Sequence, residues 1–184
     1  MRRVPVRRSI GAVVYGCLVS ALVLVSSFAA AAAELALTTE IVRSPDIVES
    51  SLPTLTYGVS LRASEQLELI VSYNRAAYAA GSYSAAWNEP ALGVRWRFGQ
   101  GAVTPHAYAM VGFPSMSWQY ESWEPERLSG RRFEIGAGVV AALTNGTELI
   151  ASVGYGRVRW HGEEEDETFS AIVPRLGVRF PLGF

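Results

Sequence analysis

From residue 34 onward the chain alternates apolar and polar side chains with a period of two in nearly every segment. No window of helical length in that region carries a sustained apolar stripe at i, i+3 and i+4, so the pattern restricts the fold to strands with two unlike faces. Leu67, Leu69, Val71 and Tyr73 alternate with Glu68, Ile70, Ser72 and Asn74, and Leu92, Val94, Trp96 and Phe98 with Gly93, Arg95 and Arg97. Turn signals divide the region into eight strands, approximately 34–43, 53–62, 66–76, 86–98, 102–114, 131–143, 147–159 and 169–182. Tight turns at Ala63 to Glu65, Gly99 to Gly101 and Thr144 to Gly146 alternate with longer loops at 44–52, 77–85, 115–130 and 160–168. Short turns therefore close one end and long loops the other. An all-β, eight-stranded antiparallel up-and-down transmembrane barrel has this asymmetry, with both termini at the short-turn end.

The first 33 residues are of another kind. Arg2, Arg3, Arg7 and Arg8 precede an apolar run from Ile10 to Phe28, then alanines that end at Glu34. This is the pattern of a helical secretory signal peptide, with Ala31 and Ala33 as the small residues a peptidase accepts and cleavage expected after Ala33. An uncleaved anchor is the alternative, because Ile10 to Ala33 is long enough to span a bilayer. The expected organisation is residues 1–33 as a cleaved signal peptide and 34–184 as one outer-membrane barrel domain. Its removal leaves twelve arginines against 17 acidic residues, a charge of −5, and discards Cys17, so neither disulfide nor thiol chemistry is available. Interleaved charge signs offer no basic stripe to a nucleic acid.

Alternation alone does not say which face is outside, since a soluble lipocalin-type barrel turns its apolar face inward around a ligand. Three features turn it outward here. The other face is rich in Gly and Ser (Gly58, Ser60, Gly93, Gly112, Gly136, Gly138, Ser152, Gly154), which suits a cramped interior better than a solvent surface. Aromatics on the apolar face gather at the strand ends, with Tyr57, Tyr73, Phe113, Phe133 and Tyr155 near the long loops and Trp96, Phe98, Phe180 and Phe184 near the short turns. Two such girdles mark two membrane interfaces. Finally, eight spans of about 9 to 11 residues need roughly 80 residues, which leaves only connections and termini.

Over residues 34–184 the chain resembles the small eight-stranded outer-membrane barrels of Gram-negative bacteria, the group containing OmpX and the OmpA transmembrane domain. The closing sequence RLGVRFPLGF carries the strongest local likeness. Gly177, Phe180, Leu182 and the terminal Phe184 are similar to the C-terminal strand signal that the barrel assembly machinery reads. Pro181 departs from that pattern and removes a ladder donor, so pairing is expected to stop early there. The resemblance implies a location in the cell outer membrane.

Parity places Glu40, Glu68, Glu134 and Glu148 in the lumen with Arg62, Arg95, Arg97, Arg132, Arg175 and Arg179, beside His106 and Tyr108. Opposite charges in a narrow, poorly hydrated space are expected to pair, and an eight-stranded barrel is only just wide enough for its own side chains. No open pore is expected. Two families of small barrel enzymes act on lipid A, and neither pattern is met. The deacylase family places a His two residues before a Ser, whereas His106 and His161 are followed at that distance by Tyr108 and Glu163. The palmitoyltransferase family needs an Asp-Ser pair, and Asp46 and Asp166 precede Ile47 and Glu167. A triad assembled from separate strands is conceivable, but a lone His106 reads as a packed, hydrogen-bonded wall residue. No catalytic residue, metal or cofactor is expected. The acidic run Glu163 to Glu167 reads as a solvated loop, without the spacing of a calcium loop. Trp118, Tyr120 and Trp123, with Glu121, Glu124 and Glu126, read as strand extensions or as a contact site for an unidentified extracellular ligand.

Outward parity continued past the girdle brings Arg43, Arg75, Arg131, Arg157 and Arg159 out on the lipid side at the loop end, where lipopolysaccharide presents phosphates that arginine forks suit. A three-residue turn with Gly146 in the left-handed region sets Arg131 opposite Arg159, whereas a two-residue Asn145-Gly146 turn pairs Glu134 with Arg157. The first keeps Leu149, Ala151, Val153 and Tyr155 toward lipid and is expected here. Like charges held opposite then call for an anion between them, a lipid A phosphate. The expected role is structural or surface interaction through the loops. The alternatives are a lipid A acyl hydrolase or acyltransferase and a soluble periplasmic carrier.

Overall fold

The computed structural model describes residues 34–43, 53–120, 126–161 and 166–182. The expected signal peptide, the loop at 44–52, Trp123, Glu163 to Glu165 and Phe184 lie outside the described residues. Nine strands follow in chain order: β1 (Glu34–Arg43), β2 (Pro53–Arg62), β3 (Leu67–Ala80), β4 (Tyr83–Arg97), β5 (Val103–Gly112), β6 (Ser115–Tyr120), β7 (Glu126–Ala142), β8 (Glu148–His161) and β9 (Asp166–Pro181). Every neighbouring pair is antiparallel, and β9 pairs with β1, so the sheet closes on itself and leaves no edge along the span.

Strands β5 and β6 are one stave of an eight-stave barrel, because both lie between β4 and β7. The interruption falls at Phe113 and Pro114, where proline has no N–H for the ladder. The chain bridges it with bonds from Phe113 N–H to the Pro90 carbonyl and from Gly130 N–H to the Pro114 carbonyl, both 2.9 Å. At the other end of the chain Pro181 faces Ala36 in the last pair of β9 with β1.

The loop end differs from expectation. Residues 77–85 are not a long loop but the tip of the β3–β4 hairpin, which pairs to Ala80 and Tyr83 and turns at Gly81 with φ 59°. Residues 115–130 are largely β6 and the start of β7, and 160–168 is reduced by β8 and β9, which pair out to His161 and Asp166. The sequence-based ends were set by turn signals and left strands near the length a bilayer requires. Backbone pairing continues past that length because, beyond the lipid, strands still satisfy their N–H and C=O groups on each other.

Inside and outside follow the parity of each strand. Leu37, Ile41, Leu55, Val59, Leu92, Val94, Ile135, Val139, Val153 and Leu176 are exposed, and Ile172 reaches 72% exposure. The aromatics assigned to the two girdles that lie among the described residues are all exposed as well, from Tyr57 and Phe133 at one end to Trp96 and Phe98 at the other. An apolar belt that encircles a closed cylinder far exceeds the patches water tolerates on a monomer. Hydrocarbon is the solvent it fits. The interior is less uniformly polar than expected, for Ile70, Met110, Val140 and Ile150 are buried within it. Glycines make their room: Gly93 lies between Ile70 and Met110, and a Cβ there would stand 2.7 Å from Met110 Cγ.

Candidate functional site

Near the short-turn end, Arg97 grips both oxygens of Glu148 at 2.8 and 2.7 Å, while Arg62 and Arg179 reach the same carboxylate at 2.9 and 3.2 Å. Glu68, fully buried, takes Arg95 at 2.9 Å, Arg97 at 3.2 Å and Arg179 at 3.1 Å. Midway, Arg175 forks onto Glu134 at 2.7 and 2.8 Å and reaches Glu40 at 3.1 Å, with Tyr108 donating to Glu134 at 2.7 Å. Arg132 then bridges Glu134 at 2.9 Å and Glu89 at 2.7 Å.

Thus all ten lumen charges named from the sequence meet in one connected chain. Glu89 completes it and was missed, although it shares the parity of Arg95 and Arg97. Asn74 and Trp87 donate to the same Glu89 carboxylate, at 3.1 and 3.3 Å. A cavity of about 10 Å³ remains among Thr38, Glu40, Tyr108 and Arg175, space for one water at most. Such a lumen is a plug, with every carboxylate already held by guanidinium groups.

His106 departs from expectation. It is buried beside Tyr108, with ring centroids 6.1 Å apart, but among the described residues neither imidazole nitrogen has a hydrogen-bond partner. Its neighbours across the ladder, Arg97 and Gly138, explain this: one is already committed to carboxylates and the other has no side chain.

Above this network the inward side chains turn apolar. Trp87 and Trp160 meet edge to face at 5.2 Å, and Val158, Ala76, Met116 and Leu128 pack around them. This aromatic cap closes the loop-end mouth. Its members carry the inward parity of their strands, but Met116, Leu128 and Trp160 fall in segments whose sequence pattern predicts loops.

On the outer face, Thr144 to Gly146 form the three-residue turn, with φ 61° at Asn145 and 74° at Gly146, and Arg131 stands opposite Arg159. Arg157 lies opposite Phe133. The five arginines do not form one cluster. Arg131, Arg157 and Arg159 are grouped on β7 and β8, whereas Arg75 on β3 is three staves from β7 and four from β8, and Arg43 ends β1 opposite Pro53, its side chain outside those described. Nor is the anion near Arg159 left entirely to a ligand. Asp166 supplies one, accepting from Arg159 at 3.1 and 2.7 Å through Oδ2, while its Oδ1 lies 3.1 Å from His161 Nδ1. The bonds from His161 and then Arg159 hold the Asp166 carboxyl below its ordinary value. Arg131 and Arg157 have no carboxylate partner among the described residues.

Near the C-terminal end of β9, Gly177 faces inward against Glu40 and Phe180 outward beside Leu37. A Cβ at Gly177 would collide with the Glu40 side chain. Packing alone therefore requires that glycine.

No family model matches the sequence, and no characterised protein aligns with it by sequence. Solved structures do match. Neisserial surface protein A is 17% identical with a TM-score of 0.59, over 82% of this chain and 96% of that one. The N-terminal β-barrel domain of Pseudomonas aeruginosa OprF is 18% identical with a TM-score of 0.55, over 82% and 96%. The attachment invasion locus protein of Yersinia pestis, in complex with the heparin analogue sucrose octasulfate, is 14% identical with a TM-score of 0.51, over 80% and 97%. The chain has the fold of the small outer-membrane β-barrels.

Proposed function

We propose that the chain is exported by its N-terminal segment and inserted into the outer membrane by the barrel assembly machinery, and that it works there through its outer surface rather than its lumen. The plugged interior supports this reading, since the space left among its side chains holds one water at most and guanidinium groups already hold its carboxylates. The observation that carries it is the position of Arg131 and Arg157. On the outer face Arg131 lies one strand repeat, about 7 Å, past Phe133 on β7, and Arg157 lies one repeat past Tyr155 on β8, opposite Phe133. A position at the edge of the aromatic girdle supports a phosphate ligand, and both guanidinium groups lack a carboxylate among the described residues. Lipopolysaccharide phosphate is the ligand this arrangement fits, with Arg159 shared between it and Asp166.

Replacing Arg131, Arg157 and Arg159 together with Gln tests the reading. The expected result is loss of most co-purifying lipopolysaccharide and of the thermal stabilisation that added lipopolysaccharide confers on the wild type. Unchanged retention and an unchanged midpoint would contradict it.

A further inference from the structure

The pairing that sets Arg131 opposite Arg159 has another result two residues further from the membrane. Ser129 on β7 faces His161 on β8, and His161 faces Asp166 on β9. All three side chains are exposed on the outer face. Side chains directly opposite in an antiparallel ladder have Cβ atoms about 4.5–5.5 Å apart, so the Ser129 hydroxyl is within a rotamer change of the His161 ring. His161 Nδ1 is 3.1 Å from Asp166 Oδ1, which leaves Nε2 for a second partner. Arg159 fixes the carboxylate from its other side at 2.7 Å. The Ser129 hydroxyl has no hydrogen-bond partner among the described residues. Nucleophile, base and orienting carboxylate thus stand in one row across three adjacent strands, in the order such chemistry requires.

We propose that Ser129, His161 and Asp166 form an ester-hydrolysing site. The row lies two strand repeats beyond Phe133, above the phosphate level. Its substrate is therefore a carboxylic ester on the saccharide part of an outer-leaflet glycolipid, a choice that rests on the membrane placement argued above. Ser129 Oγ attacks the acyl carbon and gives its proton to His161 Nε2. Arg131, two residues along β7 on the same face, supplies the positive charge toward the developing oxyanion. The ester C–O bond breaks, and the sugar oxygen leaves with the proton from His161. Water then adds to the acyl-serine, giving a proton to His161, and the carboxylic acid departs as Ser129 Oγ recovers that proton. Ser129 and His161 are catalytic residues and Asp166 is a positioning residue.

The test uses the barrel folded in detergent, with heat-modifiable migration as proof of folding, a soluble fluorophosphonate as probe and p-nitrophenyl acetate as ester. The expected result is a covalent label on the peptide that contains Ser129, together with ester hydrolysis. S129A removes both, while the neighbouring S115A keeps both. H161A slows labelling by about a hundredfold or more. D166A slows it as well and D166E restores part of the rate, which a purely structural loss would not allow. Failure of the folded wild type to label at Ser129, or labelling of H161A at the wild-type rate, overturns the proposal. The probe needs no lipid, so this outcome is independent of whether the arginines hold lipopolysaccharide.

Discussion

Glu134 is the carboxylate on which the middle of the barrel converges, with Arg175, Arg132 and Tyr108 all bonded to it. Its side chain is fully buried, so Glu134→Gln removes the charge that two buried guanidinium groups share and leaves Arg175 only Glu40 and Arg132 only Glu89. We expect a loss of about 3–5 kcal/mol in urea unfolding of the detergent-folded barrel, followed by tryptophan fluorescence. Glu65→Gln, on an exposed turn, is expected to change stability by less than about 0.5 kcal/mol. Parity alone assigned the inward charges, because a side chain's face depends only on its own strand. Which Arg meets which Glu was not legible. Long guanidinium stems reach across several staves, as Arg97 on β4 does to Glu148 on β8, and that reach depends on the stagger of all eight staves together. The orphaned ring of His106 was hidden for the same reason.

At the scale of elements, the turn at Thr144 to Gly146 shows how much a few backbone angles decide. Its two left-handed residues fix the β7–β8 register, and with it the arginine group and the pairing of Ser129 with His161. The sequence supported that register through the need to keep Leu149, Ala151, Val153 and Tyr155 toward lipid. It did not show that strands continue beyond the girdle, because alternation there mixes Ala, Ser and Trp and no longer contrasts apolar with polar. The aromatic cap supplies what holds those extensions together. Trp160→Ala is expected to cost about 3–5 kcal/mol. Amide exchange should quicken in β7 and β8 above Phe133 and Tyr155 while the amides between the girdles stay protected. Equal quickening along the whole of β8 would show that the cap is not a separate packing unit.

Across the whole molecule, closure and solvent are the two facts that matter. Period-two alternation, the count of eight spans and the two aromatic girdles were enough to anticipate a closed barrel with its apolar side outward. The structure supplies the seam between β1 and β9 that completes the closure. Both faces of the wall are then accounted for, one by ionic and small side chains that fill the bore and one by a belt that only lipid tolerates. Nitroxide labels placed singly along β8, in bilayers and with Cys17 replaced by Ser, test this most directly. Positions 149, 151, 153 and 155 should collide freely with oxygen and little with a water-soluble nickel chelate, and positions 150, 152 and 154 little with either. Chelate access at 149, 151, 153 and 155 equal to that of an exposed turn such as 99–101 would mean that water wets the outer face, and the account would be wrong.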